Sequence, residues 1–178
     1  MSDRPGTLPY KIAVLCYLYD DRDCVLLLHR RKNPNAGMYS PIGGKLDLAR
    51  GESPHQCACR EIEEETGLAL DPDHVRLAGI VSERGYENET HWLMFLFEVT
   101  RPIDRDALAW SEFNEGTLEW IPVDRVPDLN IPKTDREVMW PNVQSHRGGF
   151  FMAHIDCLAS SDGEPFTWRL DESERRPG

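Results

Sequence analysis

Between Glu52 and Gly67 the chain gathers carboxylates at Glu52, Glu61, Glu64 and Glu65, with Arg60 directly before the last three. Residues 61, 64 and 65 stand three and four positions apart, so on a helix of 3.6 residues per turn their side chains leave one face. A solvated acidic face is the plainest reading of such a run, because like charges at i,i+4 cost only about 0.2 to 0.5 kcal/mol. The fixed company of Glu52, Arg60, aliphatic Ile62 and Gly67 argues for more. Three anions converging on one patch make a seat for a hard divalent cation, and a cation so held can draw in phosphate oxygens.

The residues that must present those carboxylates carry their own signals. Ser53-Pro54-His55-Gln56 offers a Ser N-cap, Pro at the first helical position and Gln at N3, which together form a capping box. Cys57, Ala58 and Ile62 supply a buried stripe, and Gly67 suits the left-handed residue that ends a helix. Upstream, Pro41-Ile42-Gly43-Gly44-Lys45 closes a short apolar run with a glycine pair, which lets backbone approach a phosphate or metal closely.

Gly44, Glu52, Arg60-Glu61-Ile62, Glu64-Glu65 and Gly67-Leu68 resemble the Nudix box, G-x5-E-x7-R-E-U-x-E-E-x-G-U, in which U is aliphatic. From Glu52 onward every fixed position matches. Between Gly44 and Glu52 lie seven residues, Lys45 to Gly51, where the family usually has five. The two extra ones, within Leu48-Ala49-Arg50, are expected to bulge outward so that Gly44 and Glu52 keep their places. The resemblance implies Mg²⁺, with Mn²⁺ as an alternative, held by the Gly44 carbonyl, Glu61, Glu64, Glu65 and a loop carboxylate for which Glu115 matches best. It implies Glu61 and Glu64 as catalytic carboxylates, Glu61 being the first choice for general base, although members of the family differ in the carboxylate used. Arg60 is expected to ion-pair with a box carboxylate and orient it.

Short stretches further resemble the MutT-like branch, which hydrolyses oxidised purine nucleoside triphosphates. They are Tyr39 to Lys45, Trp120 to Pro127, Gly149-Phe150-Phe151 and Thr167-Trp168-Arg169. The expected reaction is Mg-dependent attack of water on a nucleoside triphosphate, 8-oxo-dGTP being a candidate, to give monophosphate and pyrophosphate. In that branch a Trp-Pro step followed by aspartates reads the base, with an Asn before the glycines. Here Ile131-Pro132-Lys133-Thr134-Asp135 takes that place and Ser40 stands near the Asn position, so Asp135 and Thr134 are the surviving readers. Arg30, Tyr39, Ser40, Lys45, Trp92 and Asp135 are the expected substrate contacts. Alternatives are a Nudix hydrolase of ADP-ribose or a dinucleoside polyphosphate, and a catalytically silent Nudix-fold binding module. The last normally lacks one or more box carboxylates. An isoprenoid diphosphate isomerase would want a catalytic cysteine and a divergent box.

Around the acidic helix the chain alternates in β fashion. Lys11 to Tyr19 reads as a strand and Cys24 to His29 as its hairpin partner across Asp20-Asp21-Arg22-Asp23. Arg30-Arg31-Lys32 enters a loop marked by Asn33-Pro34-Asn35-Ala36-Gly37. Val75 to Ser82 and Thr90 to Val99 read as strands. In the second, Trp92, Met94 and Leu96 alternate with Leu93, Phe95 and Phe97, so one face packs on a helix and the other lines a cavity or another layer. Glu119 to Val123 is a further strand. Thr134-Asp135-Arg136-Glu137 reads as a second capping box opening a helix through about Gln144, which Pro141 should kink or end early. Gly148 to Ile155 and Pro165 to Leu170 close the series. Strands interleaved with two helices point to an α/β fold, a mixed sheet between helices, and match the Nudix α/β/α sandwich over roughly residues 11 to 170.

A chain of 178 residues fits one domain over residues 1–178, with 1–9 and 171–178 read as loose tails. Its net charge of −11 argues against a polymeric nucleic acid partner, whose phosphates want a basic surface, and leaves a small-molecule nucleotide bound through metal. Five cysteines without a C-x2-C pair suggest neither zinc nor a disulfide framework. With no apolar leader in Met1 to Pro9 and no run long enough for a membrane span, a cytoplasmic setting is expected.

Overall fold

Alternate residues of Thr90–Val99 face opposite sides of a strand, and both sides are apolar, as a strand buried between two layers requires. The computed structural model describes residues 7–33, 35–159 and 165–176. In it Tyr10–Tyr17 (β1), Val75–Tyr86 (β4), Thr90–Val99 (β5), Phe150–Asp156 (β8) and Thr167–Glu174 (β9) form a mixed sheet of order β1-β5-β4-β8-β9. The β1–β5 and β4–β8 pairs are parallel, and β4–β5 and β8–β9 are antiparallel. A second sheet is antiparallel throughout. It joins Cys24–Arg30 (β2), Tyr39–Pro41 (β3), Glu112–Phe113 (β6) and Gly116–Pro122 (β7) in the order β3-β2-β7-β6.

The mixed sheet lies between helices. On one face Val14, Cys16, Phe97 and Val99 pack in one core with Cys57, Ala58 and Ile62 of α1 (Pro54–Thr66). On the other, Val81, Met94, Leu96, Phe151 and Ile155 share a core with Val138, Met139, Trp140 and Val143 from the second helical segment, α2 (Trp140–Ser145) and the turn before it. Leu26 and Leu28 of β2 join the first core while Val25 and Leu27 join the second, so the smaller sheet wedges into both.

Several local expectations change. The expected hairpin forms only at its turn, where the Leu26 N–H donates to the Leu18 carbonyl at 2.9 Å and the Asp20 N–H to the Cys24 carbonyl at 3.0 Å; beyond it β1 and β2 separate into different sheets. The long-range partner β5 takes the ladder positions of β1. Thr134 is already helical, at φ −64° and ψ −36°, and makes no cap bond. There is therefore no second capping box. The chain passes through a π-helical turn at Asp135–Met139, where the Trp140 N–H reaches back to the Asp135 carbonyl. Pro141 follows inside the first turn of α2, where a missing N–H is tolerated, and the helix continues to Ser145 without ending early. Residues 171–174, expected to be loose, belong to β9. At the other end the Pro9 carbonyl accepts the His91 N–H at 2.8 Å. The outermost tail residues, 1–6 and 177–178, and Pro34 of the expected loop lie outside the described residues.

Candidate active site

The helix that carries the carboxylates is fixed at both ends. Ser53 Oγ accepts the Gln56 N–H at 3.2 Å while Gln56 Oε1 accepts the Ser53 N–H at 3.0 Å. Gly67, at φ 75°, closes the other end in the left-handed conformation that a side chain would disfavour. With Ile62 fully buried, the helix cannot rotate without expelling its apolar stripe, so Glu61 and Glu65 stay turned toward the edge of β1.

That edge is where the glycine pair sits. The segment after β3 runs antiparallel along β1, with Cys16 N–H donating to the Ile42 carbonyl at 2.7 Å and Val14 N–H to the Gly44 carbonyl at 2.9 Å. A Cβ at Gly44 would overlap the Glu61 carboxylate and push it aside, so glycine here leaves that carboxylate its place beside the strand edge. The Gly44 carbonyl, expected as a metal ligand, accepts the Val14 N–H and the Cys57 thiol, the latter at 3.9 Å. Gly43 faces the acid, its N–H donating to Glu65 Oε2 at 3.3 Å.

Between Gly44 and Glu52 the two extra residues fold outward. Leu48–Arg50 makes a single 3₁₀ turn capped by the Asp47 carboxylate, and all of it is exposed. Glu52 is thereby returned to the helix. It accepts the Asp47 N–H at 2.8 Å and pairs with Arg60 through both oxygens, at 2.7 and 2.9 Å. The Arg60 guanidinium holds the Glu52 carboxyl down to about 2, against the opposing cost of burial. Arg60 also donates to Glu61 Oε1 at 2.7 Å, Glu64 Oε2 at 3.1 Å and the Lys45 carbonyl at 3.3 Å.

Glu61 and Glu65 line a cleft of about 400 Å³. Glu65 is 5% exposed, and burial first, then the charge of Glu61, push its carboxyl up to about 8. Burial likewise raises Glu61, with Arg60 opposing and Glu64 and Glu115 adding to the rise. Of this pair Glu61 has Arg60 as a countercharge at 2.7 Å, while the buried Glu65 keeps a raised carboxyl that a further positive charge would lower. The pair's all-oxygen donors are those a hard cation such as Mg²⁺ takes, so the residues present fit the ion that the fold implies. Among the described residues no three acidic, His or Cys side chains already converge on one point, because Arg60 holds Glu61 and Glu64.

Of the residues singled out from sequence, Arg30, Ser40, Gly44, Lys45, Glu61, Glu65, Trp92, Glu115 and Asp135 line this one cleft. Glu115, on the turn between β6 and β7, faces Arg30 at 3.8 Å and reaches the acidic pair electrostatically. Trp92 has the ammonium groups of Lys11 and Lys45 at 5.3 and 6.0 Å from its ring centre. The Ser40 hydroxyl is buried without a hydrogen-bond partner among the described residues. Arg60 and Glu64 stand outside the cleft wall, Glu64 with 59% of its side chain exposed. Tyr39 is also off the main cleft. Its ring stacks on His29 at 4.5 Å, its hydroxyl donates to Glu119 at 3.0 Å, and it borders a small crevice shared with Ser40 and Asp135. Sequence reasoning missed Glu83, Tyr86, Met94 and Met139 of the lining.

Residues 9–140 match the NUDIX domain. The chain belongs to the Nudix family. Within it, the Nudix hydrolase YvcI of Bacillus subtilis, an uncharacterised relative, is 30% identical over 125 residues, which cover 70% of this chain and 73% of the relative. A Mycobacterium tuberculosis protein provisionally named 8-oxo-dGTP diphosphatase 2 is 30% identical over 115 residues, 58% of this chain and 77% of its own length. Among solved structures the MutT protein of Bacillus halodurans superposes with a TM-score of 0.70 at 27% identity, covering 90% of this chain and 97% of that one. This Nudix chain is a pyrophosphohydrolase by that membership. Among its described residues no helix is long and apolar enough to cross a membrane.

Proposed function

We propose that this Nudix protein hydrolyses a purine nucleoside triphosphate, 8-oxo-dGTP being a candidate, releasing pyrophosphate and a nucleoside monophosphate. The observation that carries the reading is Glu65, buried beside Glu61 with its carboxyl pushed up to about 8, at the wall of a cleft large enough for a nucleotide. Glu61, Glu64, Glu65 and Glu115, with the Gly44 carbonyl, would hold Mg²⁺, which would supply positive charge for the phosphate oxygens and acidify the attacking water.

The remaining work falls to the chain. Glu61, one oxygen fixed by Arg60, offers the other as proton acceptor for the water, and Glu64 is the nearest alternative on the same helix face. Arg60 is a positioning residue, since it ties Glu52, Glu61 and Glu64 together and does not face the cleft. Arg30 and Lys45 carry the positive charge that a polyphosphate meets inside the cleft. Trp92 offers a ring for the base, and Asp135 with the unpartnered Ser40 hydroxyl gives hydrogen-bonding groups to its edge.

Similarity to the Bacillus halodurans MutT structure and to the Mycobacterium tuberculosis protein supports this choice among Nudix substrates. Ile131-Pro132, in place of the Trp-Pro step of the MutT-like branch, keeps ADP-ribose and dinucleoside polyphosphates as the second reading. A magnesium-supplemented screen of ordinary and oxidised nucleoside triphosphates, ADP-ribose and dinucleoside polyphosphates tests it, with pyrophosphate and phosphate measured separately. Triphosphates giving pyrophosphate are expected. Turnover confined to ADP-ribose or dinucleoside polyphosphates moves the protein to the second reading, and no turnover of any makes it a binding module.

A further inference from the structure

We propose that Glu83 is a specificity residue: with Asp135 it forms a two-carboxyl reader for the guanine-type edge of a purine, one acid donating while its partner accepts. This rests on the nucleotide reading of the same cleft and adds a residue that the Nudix box does not contain.

Glu83 sits on β4, the central strand of the mixed sheet, and is 3% exposed. It is paired across the ladder with Trp92, which is paired in turn with Lys11, so the three side chains share one face of the sheet. Asp135 comes from the π turn of the helical segment packed on that face. Both acids line the cleft.

A buried acid kept only for stability carries a countercharge or a full set of donors. Glu83 has neither. Its side-chain hydrogen-bond partner is the Cys157 thiol at 3.7 Å, the Thr134 hydroxyl nearby being buried without a bond, and among the described residues it has no ion pair. The Asp135 carboxyl has no hydrogen-bond or ion-pair partner among them. The arginines next in sequence are turned elsewhere: Arg84 to Asp156 at 2.8 Å and Arg136 to the Leu129 carbonyl at 2.7 Å.

Two such acids cannot both ionise cheaply. Burial pushes Glu83 up to about 7, and burial, then the charge of Glu83, pushes Asp135 up to about 8. Near neutral pH the pair then holds one proton more than two ordinary carboxylates would. A carboxylate accepts two adjacent N–H groups, and a carboxylic acid donates to a carbonyl. Guanine offers both on one edge, N1–H and the 2-amino group beside O6. Adenine offers one amino group beside an acceptor nitrogen and no carbonyl.

The test is calorimetric binding of guanosine and adenosine monophosphates, with magnesium, to the wild type and to Glu83→Gln and Glu83→Asp, run beside pyrophosphate release from GTP and ATP. The wild type is expected to prefer the guanine nucleotide. Glu83→Gln should weaken guanosine monophosphate binding at least tenfold while adenosine monophosphate changes less than twofold, and Glu83→Asp, which keeps the carboxyl, should retain part of the preference. Circular dichroism melts confirm that each variant is folded. A folded Glu83→Gln with an unchanged guanine preference, or a wild type with none, overturns the proposal. Failure to release pyrophosphate with the Glu83-dependent preference intact overturns only the hydrolytic reading of the cleft.

Discussion

Arg60 and Glu52 meet as two parallel hydrogen bonds, Nε to Oε1 at 2.7 Å and Nη2 to Oε2 at 2.9 Å, across the loop that carries the two extra residues. A fork matched to a carboxylate fixes orientation as well as distance, which a point charge cannot do. Arg60→Lys keeps the charge and loses the fork. It is expected to cost about 1.5 to 3 kcal/mol of stability and to lower turnover about tenfold, read by urea denaturation and steady-state kinetics. Equal melting and equal kcat would show that Glu52 needs no such tether.

The same pair gives an acid-side signature. Because the Glu52 carboxyl lies at about 2 in the folded protein, below its unfolded value near 4.3, the pair's contribution is complete above that value and is lost as pH falls toward 2. Glu52→Gln should remove that part of the acid dependence, and stability curves between pH 2 and 6 measure it.

Gly44 tests the closeness of the glycine turn to the acidic helix. In Gly44→Ala the new methyl displaces the Glu61 carboxylate, and a shift of about 1 Å at the reacting groups can cost on the order of 10²-fold in rate. Turnover is expected to fall to that extent while the melting temperature moves by only a few degrees. Full activity would remove Glu61 from the chemistry.

Most of this helix was legible because its signals are local: Ser53, Pro54 and Gln56 open it, Gly67 closes it, and both ends fall where those residues put them. β5 was equally plain, since its bounds coincide with the apolar run from Thr90 to Val99. The β1–β2 hairpin held only at its turn, for the opposite reason. Two aliphatic runs joined by a polar turn specify that each is a strand, but β5, about 80 residues away, decides the partner. Thr134 misled because Thr-x-x-Glu also occurs inside a helix that has already begun, and there the residue lines the cleft with its hydroxyl uncapped. Glu83 had one signal, its position two residues after buried Val81, which gives it the inward parity of the strand.

Glu83 and Asp135 predict how stability responds on the alkaline side. Their carboxyls, near 7 and 8 in the folded protein, lie above their unfolded values near 4, with Thr134 and Cys157 lowering Glu83 and Glu87 raising it. The folded state therefore binds more protons, so stability is greatest below about pH 4 for these groups and declines as pH rises through 7 to 8. Asp135→Asn cannot ionise. It should exceed the wild type at pH 8 by about 1 to 3 kcal/mol and show a smaller gain at pH 5, measured by urea denaturation at both. A gain that is the same at the two pH values would contradict the raised carboxyl.

The most direct measurement of the central claim is magnesium binding and turnover on the same preparations of the wild type and Glu65→Gln, which keeps the shape of the buried residue and removes its charge. Weaker magnesium binding and a loss of at least about 10²-fold in kcat, about 2.7 kcal/mol of barrier, are expected in a variant that melts no lower than the wild type. Magnesium affinity and kcat both close to wild type would place the metal somewhere other than the buried acidic pair.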